Sequence, residues 1–402
     1  MNEICFCVLR VGVVRHGCAG LVRDSDNEKV AFFIMRTIVK ITVVLLGVAI
    51  IYLSFWPTPL EPVAWEAPAD TGFTGDYAAN DRLSDMTLIP VAGETAPEDI
   101  AAINLDGVLT LFASSKSGAI LRIDPVSLDV SVFARTGGVP LGIEFLDDGT
   151  LLVADAFKGL LSISPVGDVR VLTDSVNGEP ILYADDLDIG PDGVIYFSDA
   201  SQRFGAEAIG GSMAASELDI LEQSRTGRIL AYDPKLNATT VFADDLSFAN
   251  GVAITEDGSA LLVAETGRYR VWKYDLSDRS QKAPELLLDN LPGFPDNINR
   301  GPLVDGQQTY LLGLAAPRLP VVDTLSNSPM MRKVISRLPQ WLKPAPEVYS
   351  IVIQFTADGR VLQTWQDPGG RLPSTTGGLV PGDGYLYITS VTASSIGRVP
   401  YP

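Results

Sequence analysis

Short apolar runs, each introduced by an Asp-Gly pair, recur along most of this chain. Asp106-Gly107 leads to LTLFASS, Asp148-Gly149 to LLVADA and Asp192-Gly193 to IYFSDAS. Asp257-Gly258 then leads to LLVAETG, Asp305-Gly306 to TYLLGLA and Asp383-Gly384 to LYITSVT. Asp-Gly between two apolar runs is a hairpin signal, because glycine accepts the positive φ that tight β-turns need. Further strand-like runs follow several of the pairs: AILRID (119–124), LLSISP (160–165), GRILAYD (227–233) and YRVWKYD (269–275). Successive pairs are 42, 44, 65, 48 and 78 residues apart. The first, second and fourth spacings fit one four-stranded blade each, and the long ones leave room for insertions. The pattern predicts an all-β, six-bladed β-propeller. One insertion, residues 202–223, reads as a Gly/Ala-rich and then helical excursion; the other, 316–347, reads as a short amphipathic helix with a loop. The Asp358-Gly359 pair is assigned to the last blade, between YSIVIQF and RVLQTW.

A different pattern marks the N-terminus. Thr37 to Trp56 (TIVKITVVLLGVAIIYLSFW) is apolar for about one bilayer thickness of helix. Arg36 and Lys40 sit at its start, whereas Glu61, Glu66 and Asp70 follow it with no base before Arg82. The positive-inside rule puts the N-terminus in the cytoplasm and the propeller on the extracytoplasmic (periplasmic) side of the membrane. A cleaved signal peptide is the alternative, but Trp56-Pro57-Thr58-Pro59 lacks a small-x-small cleavage site. Met35 by itself begins a positive-then-apolar signal, so residues 1–34 also read as an over-extended start. The expected organisation is a cytoplasmic tail (1–36), a single-pass signal anchor (37–56), a proline-bearing linker (57–88) and the propeller (89–402).

Composition narrows the chemistry. The chain has 30 Lys and Arg against 49 Asp and Glu, a net charge of −19, which disfavours nucleic acid as a partner. Cys5, Cys7, Cys18 and His16 all precede the apolar run, so the propeller contains neither thiol nor imidazole. Zinc–thiolate sites, cysteine nucleophiles and histidine-based triads are thereby excluded from it. No G-x-S-x-G motif occurs either, which disfavours a serine esterase.

Polar residues recur in phase with the turns. Six to nine residues before each Asp-Gly, where the innermost strand should open, stand Glu98, Pro140-Leu141, Asp185-Asp186, Asn250, Asp296-Asn297 and Thr376-Gly377. Four of these six positions carry carboxylate or carboxamide oxygens aimed at one axis. Converging carboxylates repel unless a cation neutralises them. Oxygen donors without His or Cys favour a hard ion, Ca²⁺ above Mg²⁺ or Mn²⁺. Asp and Asn also open strands as ordinary turn formers, and any one of them alone carries that plainer meaning.

The stretches PLGIEFLDDGTLLVADAFKGLLSISPVG, YADDLDIGPDGVIYFSDAS, FANGVAITEDGSALLVAETGRYRVWKYDL and NLPGFPDNI resemble the strictosidine synthase-like proteins, including the adipocyte plasma membrane-associated group. The resemblance covers roughly residues 90–400. More distantly the pattern is similar to paraoxonases, gluconolactonases and regucalcin, which implies a calcium-dependent six-bladed propeller. It also implies metal ligands at Glu98, Asp185, Asn250, Asp296 and Asn297, with Asp185 standing where relatives usually have Asn. Two departures limit the carry-over. The histidine dyad of paraoxonases has no counterpart here. The catalytic Glu of true strictosidine synthase is missing from LPSTTGGLVPGDG, where Ser374 is near the expected place.

Two functions remain open on this reading. One is a metal-dependent hydrolase of lactones or activated esters, with Asp296 or Asp186 as general base and the insertions, Phe157, Phe248 and Phe294 selecting the substrate. The other is a non-catalytic propeller that binds a ligand or partner around a structural Ca²⁺. Condensation chemistry of the strictosidine synthase type is disfavoured by the missing Glu.

Overall fold

The computed structural model describes residues 24–402 apart from Asp106, residues 277–282 and Ala345. The chain divides into two units, Met1–Pro57 and Thr58–Pro402. In the first, a single helix, α1 (Asp24–Phe55), begins well before Thr37 because Phe32 to Met35 extend the apolar run upstream of Arg36. Its stretch Glu28–Phe55 is long and apolar enough to cross a membrane. At 1.5 Å per residue that stretch is about 42 Å long, against about 30 Å of hydrocarbon. The remainder of the expected cytoplasmic tail, up to residue 23, lies outside the described residues.

The second unit is a six-bladed propeller. Six four-stranded antiparallel sheets follow one another along the chain, each running outward from its first strand. Those first strands are Pro97–Leu105, Pro140–Phe145, Ala184–Ile189, Ala249–Ile254, Gly293–Val304 and Thr375–Leu379. Each packs against the first strand of the next blade, and the sixth packs against the first, so the ring closes. The Asp-Gly pairs join first to second strands in every blade. Their glycines hold φ between +67° and +89°, as the hairpin argument requires. Asp106 itself is outside the described residues, and Gly107 keeps the positive φ.

The core lies between blades, where apolar faces of adjacent sheets interdigitate. Between blades four and five it is built by Leu262, Tyr269, Phe294, Leu312 and Phe355. Between blades one and two it is built by Phe112, Ile120, Ile143, Val153 and Leu161.

One assignment needs correcting. The Asp358-Gly359 turn belongs to blade five, not to the last blade: it joins Ser350–Thr356 to Val361–Asp367, the third and fourth strands of that sheet. The insertion before it therefore lies inside blade five. Blade six takes its fourth strand from the other end of the chain, where Thr87–Pro90 pairs antiparallel with Ser395–Pro400.

The insertions and the segment after α1 form a cap over one face. Insertion 202–223 contains α2 (Ala206–Ile209) and α3 (Ser212–Glu222). The blade-five insertion contains α4 (Pro320–Thr324) and α5 (Pro329–Ser336). Residues 58–86, expected as part of a linker, are packed: Leu60, Trp65, Leu83 and Met86 are buried. Val63 donates its N–H to the Glu222 carbonyl at 2.8 Å, and Trp65 donates to the Ser326 carbonyl at 3.2 Å. Arg332 of α5 clamps this strap. Its guanidinium, buried at 1% exposure, donates to the carbonyls of Val63, Leu221, Glu222 and Ser326.

Candidate metal and substrate site

A backbone irregularity repeated in phase builds the site. In all six blades the pairing of first and second strands slips near the start of the first strand. The slips fall at Pro97/Ile100, Pro140/Ile143, Ala184/Leu187, Ala249/Val252, Pro295/Ile298 and Thr375/Gly378. Such bulges re-aim side chains out of the normal alternation. The two residues inside each slip are Glu98-Asp99, Leu141-Gly142, Asp185-Asp186, Asn250-Gly251, Asp296-Asn297 and Thr376-Gly377. The in-phase polar positions of the sequence are these bulge residues.

Alternate blades place glycine second, and the reason is contact with the neighbour. A Cβ on Gly142 would lie 2.5 Å from Asp186 Oδ1, and one on Gly251 would lie 2.3 Å from the Asp296 carbonyl oxygen. Glycine in the even blades thus admits the polar bulge of the odd ones.

Glu98, Asp185, Asn250, Asp296 and Asn297 are all buried, none more than 7% exposed. Asn250 Nδ2 donates to Asp296 Oδ1 at 2.8 Å, and Asn297 Nδ2 donates to Glu98 Oε1 at 2.9 Å. Both amide groups are held with their nitrogens turned to a carboxylate. What is left over is oxygen: Glu98 Oε2, Asn250 Oδ1 and Asn297 Oδ1 are buried acceptors without a hydrogen-bond partner. Buried acceptors are normally satisfied, so three orphans in one place call for a donor or a cation.

The electrostatics point the same way. Burial first, then the charges of Asp296, Asp185, Asp99 and Asp186, push the Glu98 carboxyl well above its usual range. Burial, followed by the charge of Asp296, does the same to Asp185. A positive charge among these groups would remove the penalty. Among the described residues no group of three or more His, Cys, Asp or Glu could hold a metal by itself. The candidate set therefore depends on the two carboxamide oxygens. All its donors are hard oxygens, which suits Ca²⁺.

Asp186 behaves differently from its neighbour Asp185. Its Oδ1 accepts the Leu187 N–H and its Oδ2 accepts the Val252 N–H of blade four, both at 2.8 Å. Asp99 likewise accepts the Ile143 N–H of blade two at 2.9 Å. These two carboxylates tie blades together, and Asp186, unlike Asp185 and Asp296, is not among the residues that line the cavity above the ring. Sequence reasoning also missed a second set of ties. Asp155, Asp199 and Glu265 end the second strands of blades two to four. They accept the N–H groups of Val139, Tyr183 and Ser247, which precede the first strands. Their signal was visible in the recurring strand ends LLVADA, IYFSDA and LLVAET.

A cavity of about 270 Å³ opens above the ring. Glu98, Asp185, Asn250 and Asp296 form its polar floor, and Leu141, Met213, Ile220, Phe248, Phe294 and Val322 are among its apolar walls. Of the aromatics singled out in the sequence, Phe248 and Phe294 line it, whereas Phe157 packs against the cluster around Tyr183 and Phe204. Ser374 reaches the cavity too, from a left-handed backbone at φ +55°. Lys158, by contrast with Ser374, is absent from the lining and donates to the Thr136 carbonyl, and the Arg268 guanidinium lies 4.5 Å from the centre of the Trp65 ring.

Fold and site together define a six-bladed propeller whose axis carries a buried, oxygen-lined pocket under a helical cap. The chain belongs to the strictosidine synthase-like family that includes the adipocyte plasma membrane-associated proteins. The strictosidine synthase family model matches residues 185–279, and the strictosidine synthase-like N-terminal model matches 75–123. Strictosidine synthase-like protein 13 of Arabidopsis thaliana is 33% identical over 66% of this chain and 62% of its own length. The adipocyte plasma membrane-associated protein of Salmo salar is 30% identical over 83% of this chain and 82% of its own length. Among solved structures, a gluconolactonase from Xanthomonas campestris superimposes with a TM-score of 0.57 at 17% identity, covering 86% of this chain and 99% of that one. A calcium-binding regucalcin from Agrobacterium tumefaciens gives 0.51 at 14% identity, over 77% and 94%. At such identities these two establish the shared fold.

Proposed function

We propose that this protein is a metal-dependent hydrolase of lactones or activated esters, anchored to a membrane by α1. The observation that carries the reading is the set of three orphaned buried oxygens beside Asp185 and Asp296, two of them, on Glu98 and Asn250, belonging to residues at the floor of a largely apolar cavity. Glu98, Asp185, Asn250, Asp296 and Asn297 would hold a hard divalent cation, Ca²⁺ by preference. Such an ion supplies charge stabilisation for a carbonyl oxygen that becomes negative during acyl transfer. Asp296 lines the cavity and is held at one oxygen by Asn250, so it is the group to take the proton of the attacking water. The apolar walls exclude bulk water and favour a substrate with a hydrocarbon body over a polyhydroxylated one. A gluconolactonase and a calcium-binding regucalcin with the same fold support the class of chemistry.

The rival reading keeps the ion and drops the turnover. The floor residues come from blades one, three, four and five, so a cation there would cross-link the ring as a structural plug. A panel of lactones and aryl esters assayed with Ca²⁺ and with chelator separates the two. Activity abolished by chelator and by Asn250→Ala and Asp296→Ala supports hydrolysis. Background rates indifferent to all three, with thermal stability still dependent on Ca²⁺, support the plug.

A further inference from the structure

The cap carries a surface that neither the pocket nor the fold requires. From Thr58 onward, Trp341 is the one aromatic side chain among the described residues that is exposed rather than buried or half-buried, and it is 80% exposed. Met330, Met331, Leu342 and Val348 are exposed in the same stretch of twenty residues. The other exposed large apolar side chains of the propeller unit are valines and leucines scattered over the rest of it, which is ordinary for a protein surface. Large apolar side chains exposed together in one short segment mark a candidate interaction surface.

Charge and chain length say what covers it. Residues 329–348 contain, besides the buried Arg332, three further bases (Lys333, Arg337 and Lys343) and one acid, Glu347, within a chain of net charge −19. Exposed tryptophan with methionine and leucine beside Lys and Arg is the composition of a membrane-interfacial segment, and the bases suit anionic headgroups. The chain leaves the candidate membrane span at Phe55, where Tyr52 and Trp56 are the aromatic pair expected at headgroup level. Three residues later, Thr58 is already bonded to the cap, its Oγ1 lying 3.1 Å from Ser336 Oγ of α5. Three residues reach at most about 11 Å.

We propose that the cap segment of residues 329–348 rests on the bilayer surface through Trp341, Leu342, Met330 and Met331, with anionic lipid meeting Lys333, Arg337 and Lys343. Ile335, Lys343 and Pro344 of the same stretch line the cavity. The cavity mouth then opens at the interface, where ligands of low water solubility collect. The docking holds whether or not the pocket turns anything over.

The test is tryptophan quenching by dibromo-phosphatidylcholine, with the full chain reconstituted at one copy per nanodisc. Three of its five tryptophans sit inside the propeller unit, Trp65 and Trp365 buried and Trp272 half-buried, and Trp56 adjoins the span. Trp341→Phe, a conservative change at an exposed position, should remove about half of the bromolipid-quenched amplitude and leave the Trp56 share. Discs containing phosphatidylglycerol should show a larger Trp341 share than phosphatidylcholine alone, and Lys333→Glu should reduce it. Identical quenching in wild type and Trp341→Phe overturns the proposal. So does quenching of Trp341 only when several copies share a disc, which would make the partner a second chain.

Discussion

A single methyl group at Gly251 tests whether the bulges set the site. The Cβ of Gly251→Ala would stand 2.3 Å from the Asp296 carbonyl oxygen, 2.6 Å from the Ile298 nitrogen and 2.8 Å from the Asn297 carbonyl carbon. All three are backbone atoms of the neighbouring blade, so no side chain can swing aside. Restoring ordinary contact needs a displacement of about 1 Å in a close-packed interior, where overpacking costs about 1–3 kcal/mol. Asp296 and Asn297 ride on the displaced segment. A misplacement of about 1 Å costs roughly 100-fold in rate at a positioned catalytic group, and ion ligands tolerate only about 0.2 Å. The substitution should leave a folded propeller with a modestly lower melting temperature, while removing the stabilisation conferred by Ca²⁺ and about 100-fold of any hydrolysis. Calorimetric melting with Ca²⁺ and with chelator reads the first effect, and kcat/KM reads the second. If Gly251→Ala binds Ca²⁺ as the wild type does, the neighbouring bulge does not position the ligands and the reasoning fails.

Other substitutions separate the roles assigned to individual carboxyls and to the cap. Asp186→Asn should keep measurable turnover with an unchanged pH profile, whereas Asp296→Asn should lose turnover and keep its fold; the opposite result would return Asp186 to the role of base. Asp219 of α3 is buried, and burial followed by the charge of Glu222 raises its carboxyl to about 7. A raised acid contributes stability that is fully present below its unfolded value of 3.8 and lost as pH rises through 7, at about 1.4 kcal/mol per pH unit in that window. Asp219→Asn should therefore gain stability over wild type as pH climbs from 4 to 7 and hold a constant lead above it, in pH-dependent melts. Arg332→Met takes a donor from four strap and cap carbonyls; those of Glu222 and Ser326 keep the Val63 and Trp65 N–H groups, whereas those of Val63 and Leu221 lose the guanidinium with no replacement, at about 1–3 kcal/mol each. Hydrogen exchange should show residues 58–66 and α5 opening together, with the blades unaffected.

The propeller was legible because its turns are local: an Asp-Gly pair and the strands beside it need no distant partner to be read. Blade membership was not, because it depends on closure. Thr87–Pro90 joins the C-terminal strand Ser395–Pro400 at the far end of the chain, and that pairing pushed Asp358-Gly359 out of the last blade into the fifth. The candidate ligands were legible for a related reason, as they occupy one bulge in fixed phase with the turns. Asp185 and Asp186 could not be told apart, since they are adjacent acids whose roles differ only by which one meets Val252 across the blade boundary. The strap at 58–86 read as a linker because its prolines and acids hide four buried side chains that pack far away in sequence.

The central claim is that the orphaned oxygens at the propeller axis hold a hard cation. Anomalous diffraction from crystals grown with Mn²⁺ or Ca²⁺ tests it most directly. The account predicts one strong peak within bonding distance of Glu98 Oε2, Asn250 Oδ1 and Asn297 Oδ1. No peak at the axis under saturating metal, with the three oxygens hydrogen-bonded to ordered water, would contradict it.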